Sequence, residues 1–362
     1  MSMKHSILPA FLLSLAPALL AQADTVILRN GTVETGRIES EDYDVLRFKI
    51  KKGKDDLPAT SLQWADIAEI KYGVVEFQQA IAQLNSGNRG AALPRLQALL
   101  AQTSLRKELK PAVAFQFGCG QLRSGQLPEA AATLLELVKS SPKSRYVIPA
   151  TRALVEVYLA TADLTGGTTA IDAATAAAKE AGANPNQLLA FDYFRGLLHE
   201  AKKDFVNAKV CFQTASRAEQ GAAAIGELAT LALARVNDAD GKAEDARTAY
   251  RGIIDRARGN EVLAGAWSGL AKRALLDGVT ARNAEKVTDA LFMYLRGVVA
   301  YAPAPGEGTT EYERALAGAA EAFKHLADLE TDETLKKQHA NRSRQRLDQL
   351  RKEFPHSAHL PK

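Results

Sequence analysis

Few stretches of this chain combine residue types and spacings that could do chemistry. Gly118-Cys119-Gly120 has the opening of a phosphate-binding glycine loop, but the later glycine of that pattern is absent and no strand precedes it, so the glycines read as helix packing. Asp238-Ala239-Asp240-Gly241 has the spacing that begins a calcium loop, where alternating oxygen ligands precede a glycine turn. Val236 stands at the first ligand position and Arg247 at the last, which leaves a polar turn between helices. His356 and His359 could touch a metal, yet a lone histidine pair in a terminal tail is not a ligand set. Cys119 and Cys211 are too few for a disulfide framework and sit at small, buried helix positions. No G-x-S-x-G, H-E-x-x-H, G-x-x-x-x-G-K-[ST] or C-x-x-C occurs, and no carboxylate pair stands out from the solvent faces. The expectation is a protein that is not an enzyme, with no catalytic, cofactor-binding or metal residues.

The elements that carry these residues begin after residue 23. Residues 1–23 have the three parts of a secretory signal peptide: Lys4 and His5, the apolar run Ile7–Leu20, and the small-x-small site Ala21-Gln22-Ala23. The run is shorter than the ~20 apolar residues that span a bilayer. Cleavage near Ala23 therefore leaves no integral membrane segment, and the expected address is periplasmic or secreted. The 362 residues carry 46 Lys+Arg against 42 Asp+Glu, a balance that argues against a dedicated nucleic-acid surface. Apolar content is 46% with only 6% aromatic residues, which favours closely packed, Ala-rich helices over a sheet core.

From Thr25 to Tyr72 the hydrophobic period is two. Val26 and Leu28 alternate with polar neighbours, Asn30-Gly31 predicts a type I′ hairpin turn, and Gly36 marks a bend or bulge between Val33 and Ile38. Leu46, Phe48 and Ile50 form a third strand, Lys51–Asp56 a charged loop, and Leu57-Pro58 a restart. Ser61–Ile67 predicts a short helical turn before a last strand, Ala68–Tyr72. The segment 24–73 resembles SH3-like or Sm-like small five-stranded β-barrels. Such a barrel is marginal alone, so Trp64 and Tyr72 are expected to pack against the first helices.

The remainder, 74–362, has helical periods in pairs. Pro111–Pro142 carries Phe117-Gly118, then Gly125 in a turn, then Leu127, Ala130 and Leu134. Small residues let two helices approach while large ones fill the seam. Gly196, Phe205, Ala208 and Phe212 repeat that spacing, as do Ala234, Gly241, Ala246 and Tyr250, and more loosely Ala80, Gly87, Ala92 and Leu96. These motifs resemble the tetratricopeptide repeat (TPR), and P-x-S endings at Pro142 and Pro355 resemble TPR proteins of the bacterial envelope. About seven pairs are expected, giving a mostly α fold: a TPR-like α-solenoid preceded by the small β-barrel. Long turns are expected over Asp163–Thr169 and Gly278–Lys286, and Thr331-Asp332-Glu333 as the cap of a basic last helix.

The resemblance implies a concave groove lined by the first helix of each pair, where a partner peptide or helix binds. The register of the repeats puts Phe115, Arg123, Tyr193, Glu200, Arg235, Asp238 and Lys272 on that face. An exported, non-enzymatic scaffold for a protein partner of the cell envelope is thus one expectation. The alternative is an accessory or carbohydrate/cell-wall-binding protein whose β-barrel recognises the ligand through Trp64 and Tyr72. Oligomeric state is left open.

Overall fold

The computed structural model describes residues 23–52, 55–219, 222–303 and 308–361. Apart from Ala23, the segment read as a signal peptide lies outside them. Period-two alternation yields β1 (Asp24–Leu28), β2 (Val33–Glu41), β3 (Val45–Lys52), β4 (Asp55–Gln63) and β5 (Ile67–Lys71). They form one antiparallel sheet in the order β4-β3-β2-β1-β5. Val26, Ile38, Leu46 and Phe48, all fully shielded, make its apolar face.

Several local expectations are corrected. At Asn30-Gly31 only Gly31 is left-handed (φ 86°), whereas a type I′ turn needs positive φ at both central residues. Leu28 closes the turn instead, its carbonyl accepting from the Gly31 amide (2.9 Å) and its amide donating to the Thr32 carbonyl (2.8 Å). β4 runs on through Leu57-Pro58 to Gln63, so the helical turn shrinks to Trp64–Asp66. Pro58 is tolerated because β4 is an edge strand whose pairing with β3 shifts register there. The expected Lys51–Asp56 loop is cut back at both ends, since β3 runs to Lys52 and β4 starts at Asp55, and residues 53–54 lie outside the described residues. Gly36 is a point of close approach, since a Cβ there would stand 2.0 Å from the Lys49 carbonyl oxygen.

From Val75 the period becomes 3.6, and seven antiparallel pairs follow among the described residues. They are α1 (Val75–Asn85) with α2 (Arg89–Ala101), α3 (Lys110–Arg123) with α4 (Leu127–Ser140), and α5 (Val147–Thr161) with α6 (Leu164–Glu180). Next come α7 (Pro185–Ala201) with α8 (Phe205–Ala215), α9 (Ala223–Ala239) with α10 (Ala243–Arg256), and α11 (Asn260–Thr280) with α12 (Ala284–Ala300). The last pair is α13 (Thr310–Leu329) with α14 (Glu333–Glu353). Small-to-large seams hold the pairs as expected. A Cβ on Gly118 would lie 2.7 Å from Leu134, and one on Gly196 2.5 Å from the Phe212 ring. Asp332 caps α14 by accepting from the amides of Thr334 (2.7 Å) and Leu335 (3.0 Å).

The two long inter-helix turns are absent. Asp163 accepts from the Gly166 amide (2.9 Å) and starts α6 at once, so the Leu164–Thr169 stretch is helix. α11 continues to Thr280, and Gly278 lies within it against Val287 of α12.

The sheet is joined to the array through buried polar groups. Asp24 is fully buried and accepts from the amides of Ile38 (2.8 Å) and Gly73 (2.7 Å) and from the Arg106 guanidinium (2.6 Å). Glu41 accepts from the hydroxyls of Tyr72 (3.1 Å) and Tyr146 (3.1 Å) and lies 2.9 Å from Arg145 Nε. Burial pushes the Glu41 carboxyl up despite Arg145 and the two hydroxyls, which pull the other way. Tyr43 donates to the Pro142 carbonyl (2.8 Å), and the Asp44 carboxylate accepts from Gln187 (2.6 Å) at the start of α7. Tyr72 packs on Phe77 of α1 at 5.1 Å, and Arg145 stacks 4.0 Å above the Trp64 ring.

Candidate functional site

Each odd-numbered helix touches the next odd-numbered one from α1 to α13, so the first helices form one continuous inner wall. The long charged side chains on this wall meet one another. Arg235 of α9 donates to both oxygens of Glu200 on α7 (2.6 and 2.7 Å) and to Glu311 of α13 (2.7 Å). Glu311 also accepts from Arg314 at 2.9 Å. Burial alone would push the Glu311 carboxyl up, but Arg314, Arg235 and His359 together bring it down to about 2. Asp238 lies 3.3 Å from both Lys272 and Arg273 of α11.

Nearer the other end of these helices, Arg152 of α5 pairs with Glu261 of α11 and stands 3.5 Å from Glu156. Glu156, one turn along α5 from Arg152, keeps 37% of its side chain exposed. Desolvation there, aided by Glu313 and Glu261, outweighs Arg152 and pushes its carboxyl up to about 7.

The expected groove residues take three kinds of position. Tyr193 is buried and stacks between Phe194 (5.8 Å) and Phe212 (5.9 Å), so it builds the seam. Glu200, Arg235 and Asp238 are brought together as ion pairs within the wall, with Lys272 at its exposed edge. Phe115 is half-buried beside Tyr146 (5.2 Å), and Arg123 is exposed at the end of α3. Glu311, Arg314, Arg152, Glu261 and His359 were not among the expected residues. Only the Glu311/Arg314 spacing of three was a local signal, because the others meet through the winding of the array.

Two cavities open on this wall. One, of about 450 Å³, lies between α9, α11 and α13 and is lined by Arg235, Asp238, Lys272, Leu276, Glu311 and His359 among others. The other, of about 400 Å³, lies where the sheet meets α1, α3 and α5, and its walls include Trp64, Tyr72, Phe77, Phe115, Arg145 and Tyr146. Burial pushes the Cys119 thiol up to about 12, so it is held as the unreactive thiol, and Cys119 and Cys211 are both free. Among the described residues no group of three or more His, Cys, Asp or Glu could hold a metal, and no helix is long and apolar enough to cross a membrane.

Seven stacked pairs with small-to-large seams and a continuous first-helix wall define the architecture. The fold is a TPR-like α-solenoid preceded by a five-stranded antiparallel sheet. No family model matches the chain, and no curated protein matches it. Among solved structures, Rap protein complexed with competence and sporulation factor is similar with a TM-score of 0.48 at 14% identity, over 77% of this chain and 75% of that one. A tetratricopeptide repeat protein from Parabacteroides merdae ATCC 43184 is similar with a TM-score of 0.39 at 16% identity, over 75% of this chain and 98% of that one.

Proposed function

We propose that this chain is an exported, non-enzymatic scaffold of the cell envelope that holds a peptide or helical segment of a partner protein on its inner wall. The observation that carries this reading is the cavity of about 450 Å³ between α9, α11 and α13, where apolar Leu276 stands beside charged groups of both signs. Apolar anchors flanked by paired charges suit a polypeptide, whose own side chains are mixed, better than a small metabolite. Export rests on the signal-peptide pattern of residues 1–23. The test is a photo-reactive side chain at Leu276 in the native envelope, with Val299 on the outer helix α12 as control; both positions are exposed. A discrete protein adduct at Leu276 and none at Val299 is expected. Equal labelling at the two positions would sink the reading.

The second reading is recognition by the sheet, and the aromatic cleft at its junction with α1, α3 and α5 favours it. Tyr72 is only 8% exposed and Trp64 is covered on one face by Arg145, so stacking there would have to use Phe115 and the remaining edge of Trp64. Loss of ligand binding in a Phe115→Ala variant, with the Leu276 adduct retained, would support this second site.

A further inference from the structure

The inner wall is already occupied by the chain's own last residues. After α14 the segment Phe354–Leu360 folds back in two tight turns, Ser357 N–H donating to the Phe354 carbonyl (3.0 Å) and Leu360 N–H to that of Ser357 (3.2 Å). It enters beside the first pair, where the Arg89 guanidinium donates to the Glu353 carbonyl at 3.4 Å. His356 lies against Gly125 in the α3–α4 turn, so closely that a Cβ on Gly125 would fall 1.8 Å from its Nε2. The Phe354 ring packs edge-on to Tyr312 of α13 at 6.1 Å, and Leu360 joins it against Val298, Ala315 and Leu316. Between these anchors His359 reaches the 450 Å³ cavity beside Arg235, Glu311 and Arg314. The segment thus lies against pairs two, six and seven and reaches the cavity it shares with pair five, while its described hydrogen bonds run within itself or back to Leu350. Packing alone holds it, which is the arrangement of a bound peptide.

We propose that Phe354–Leu360 is a built-in occupant of the inner wall, and that the partner is a short turned segment of the same chemistry that displaces it. Such a segment presents an aromatic side chain to Tyr312, a leucine-like side chain to Leu316 six residues later, and an uncharged hydrogen-bonding side chain over the Arg235–Glu311–Arg314 cluster. The last requirement follows from charge. Glu311 is held by two arginines and Arg235 by two carboxylates, so a further charge would find its counter-charges already paired. His359 meets the requirement, since its surroundings keep the ring neutral down to about pH 4.

This inference rests on the inner-wall reading above, and its test separates the two. A fluorescein-labelled synthetic peptide of the sequence from Phe354 to Leu360 is titrated into the full chain and into the full-length H359D/L360D variant, which expels the segment without shortening the chain. If the segment occupies the wall nine-tenths of the time or more, the variant binds at least about tenfold tighter than the parent. Equal affinities, with the variant's circular dichroism and melting intact, would overturn the proposal. Should the double variant not fold, hydrogen exchange on the unaltered chain decides. Excess unlabelled peptide is expected to speed exchange at Ser357–Leu360, and unchanged exchange overturns it. Concentration-dependent dimerisation of the parent chain would mean that the segment is exchanged between copies, against occupancy in cis. A Leu276 adduct without peptide binding leaves the inner-wall reading standing and removes this one. Peptide binding without any adduct removes the protein partner from both and leaves only the occupancy of the wall by Phe354–Leu360.

Discussion

Arg235 and Glu311, 76 residues apart in the chain, stand 2.7 Å from each other and tie α9 to α13. The same guanidinium holds Glu200, so three helices from three pairs meet at one side chain. In an open array each repeat touches only its neighbours; here the winding brings the seventh pair back onto the fifth, whose Arg235 links it to the fourth.

Arg235→Ala is therefore expected to destabilise the array by about 3 kcal/mol, because Glu200 would be left in the wall without its cation and Glu311 with Arg314 alone. The side chain is only 15% exposed, so water does not replace the lost partner. Lys272→Ala, whose side chain is 64% exposed, should cost less than about 1 kcal/mol. Urea unfolding of the two variants checks the contrast, and similar losses would mean that Arg235 is not the tie described.

Gly196→Ala tests the small-to-large seam. The added methyl improves helix propensity by roughly 0.8–1 kcal/mol, while overpacking against a rigid aromatic ring costs about 1–3 kcal/mol. The Phe212 ring stands 2.5 Å from the new Cβ, so the clash is expected to win and the unfolding midpoint to fall. Gly90, where an added Cβ would meet nothing within 4 Å, provides the opposite case, and G90A should be neutral or stabilising. Equal shifts would refute the seam argument.

The helix pairs were legible because their cause is local. Gly87, Gly125 and Gly241 take φ of 78°, 78° and 83° in the turns, and each precedes a second helix by a few residues. Where the expectation failed, two meanings of glycine compete. Gly166-Gly167 looks like loop sequence, yet Asp163 caps the helix and Gly167 gives Leu198 and Tyr158 room to pack. The wall-facing register of Glu200, Arg235 and Asp238 was likewise readable from repeat spacing. Their partners were not, because which charge faces which depends on the accumulated rotation of seven pairs. Tyr193 shows the complementary limit: one helical position can face the groove or the seam, and burial among Phe194 and Phe212 decides it.

Asp24→Asn should loosen the sheet from the array. One carboxylate oxygen accepts from the Ile38 amide and the other from the Gly73 amide, with Arg106 across both. An amide NH₂ would oppose one of those donors and leave Arg106 without a counter-charge, at a cost of about 2–3 kcal/mol. The sheet and the first helices share one continuous core, so a single melting transition is expected to move down as a whole. A new early transition, seen by hydrogen exchange in β1 and β2 alone, would show that the sheet unfolds independently.

Acid should release the segment after α14 before it unfolds the array. His359 in place is held down to about 4 from its ordinary 6.5, by burial first and then by Arg314 and Arg235, against the pull of Glu311. The released segment therefore takes up a proton below pH 6.5 that the docked one refuses until about pH 4. Docking is at full strength above 6.5 and weakens as pH falls through that window, by up to about tenfold per pH unit. Glu311 sits at about 2 and stays ionised throughout, and its own contribution fades only as pH falls from 4.5 toward 2. The other charged or titratable groups lining the cavity are Asp238 and Lys272 from the α9 and α11 side, Glu321 and His325 further along α13, and the phenols of Tyr250 and Tyr294, which burial pushes up and keeps neutral throughout. His359→Gln removes the titration while keeping an uncharged hydrogen-bonding side chain. Hydrogen-exchange protection factors at Ser357–Leu360 should drop between about pH 7 and about pH 5 in the parent and stay level in H359Q. A parallel drop in both chains would show that His359 is not the group responsible.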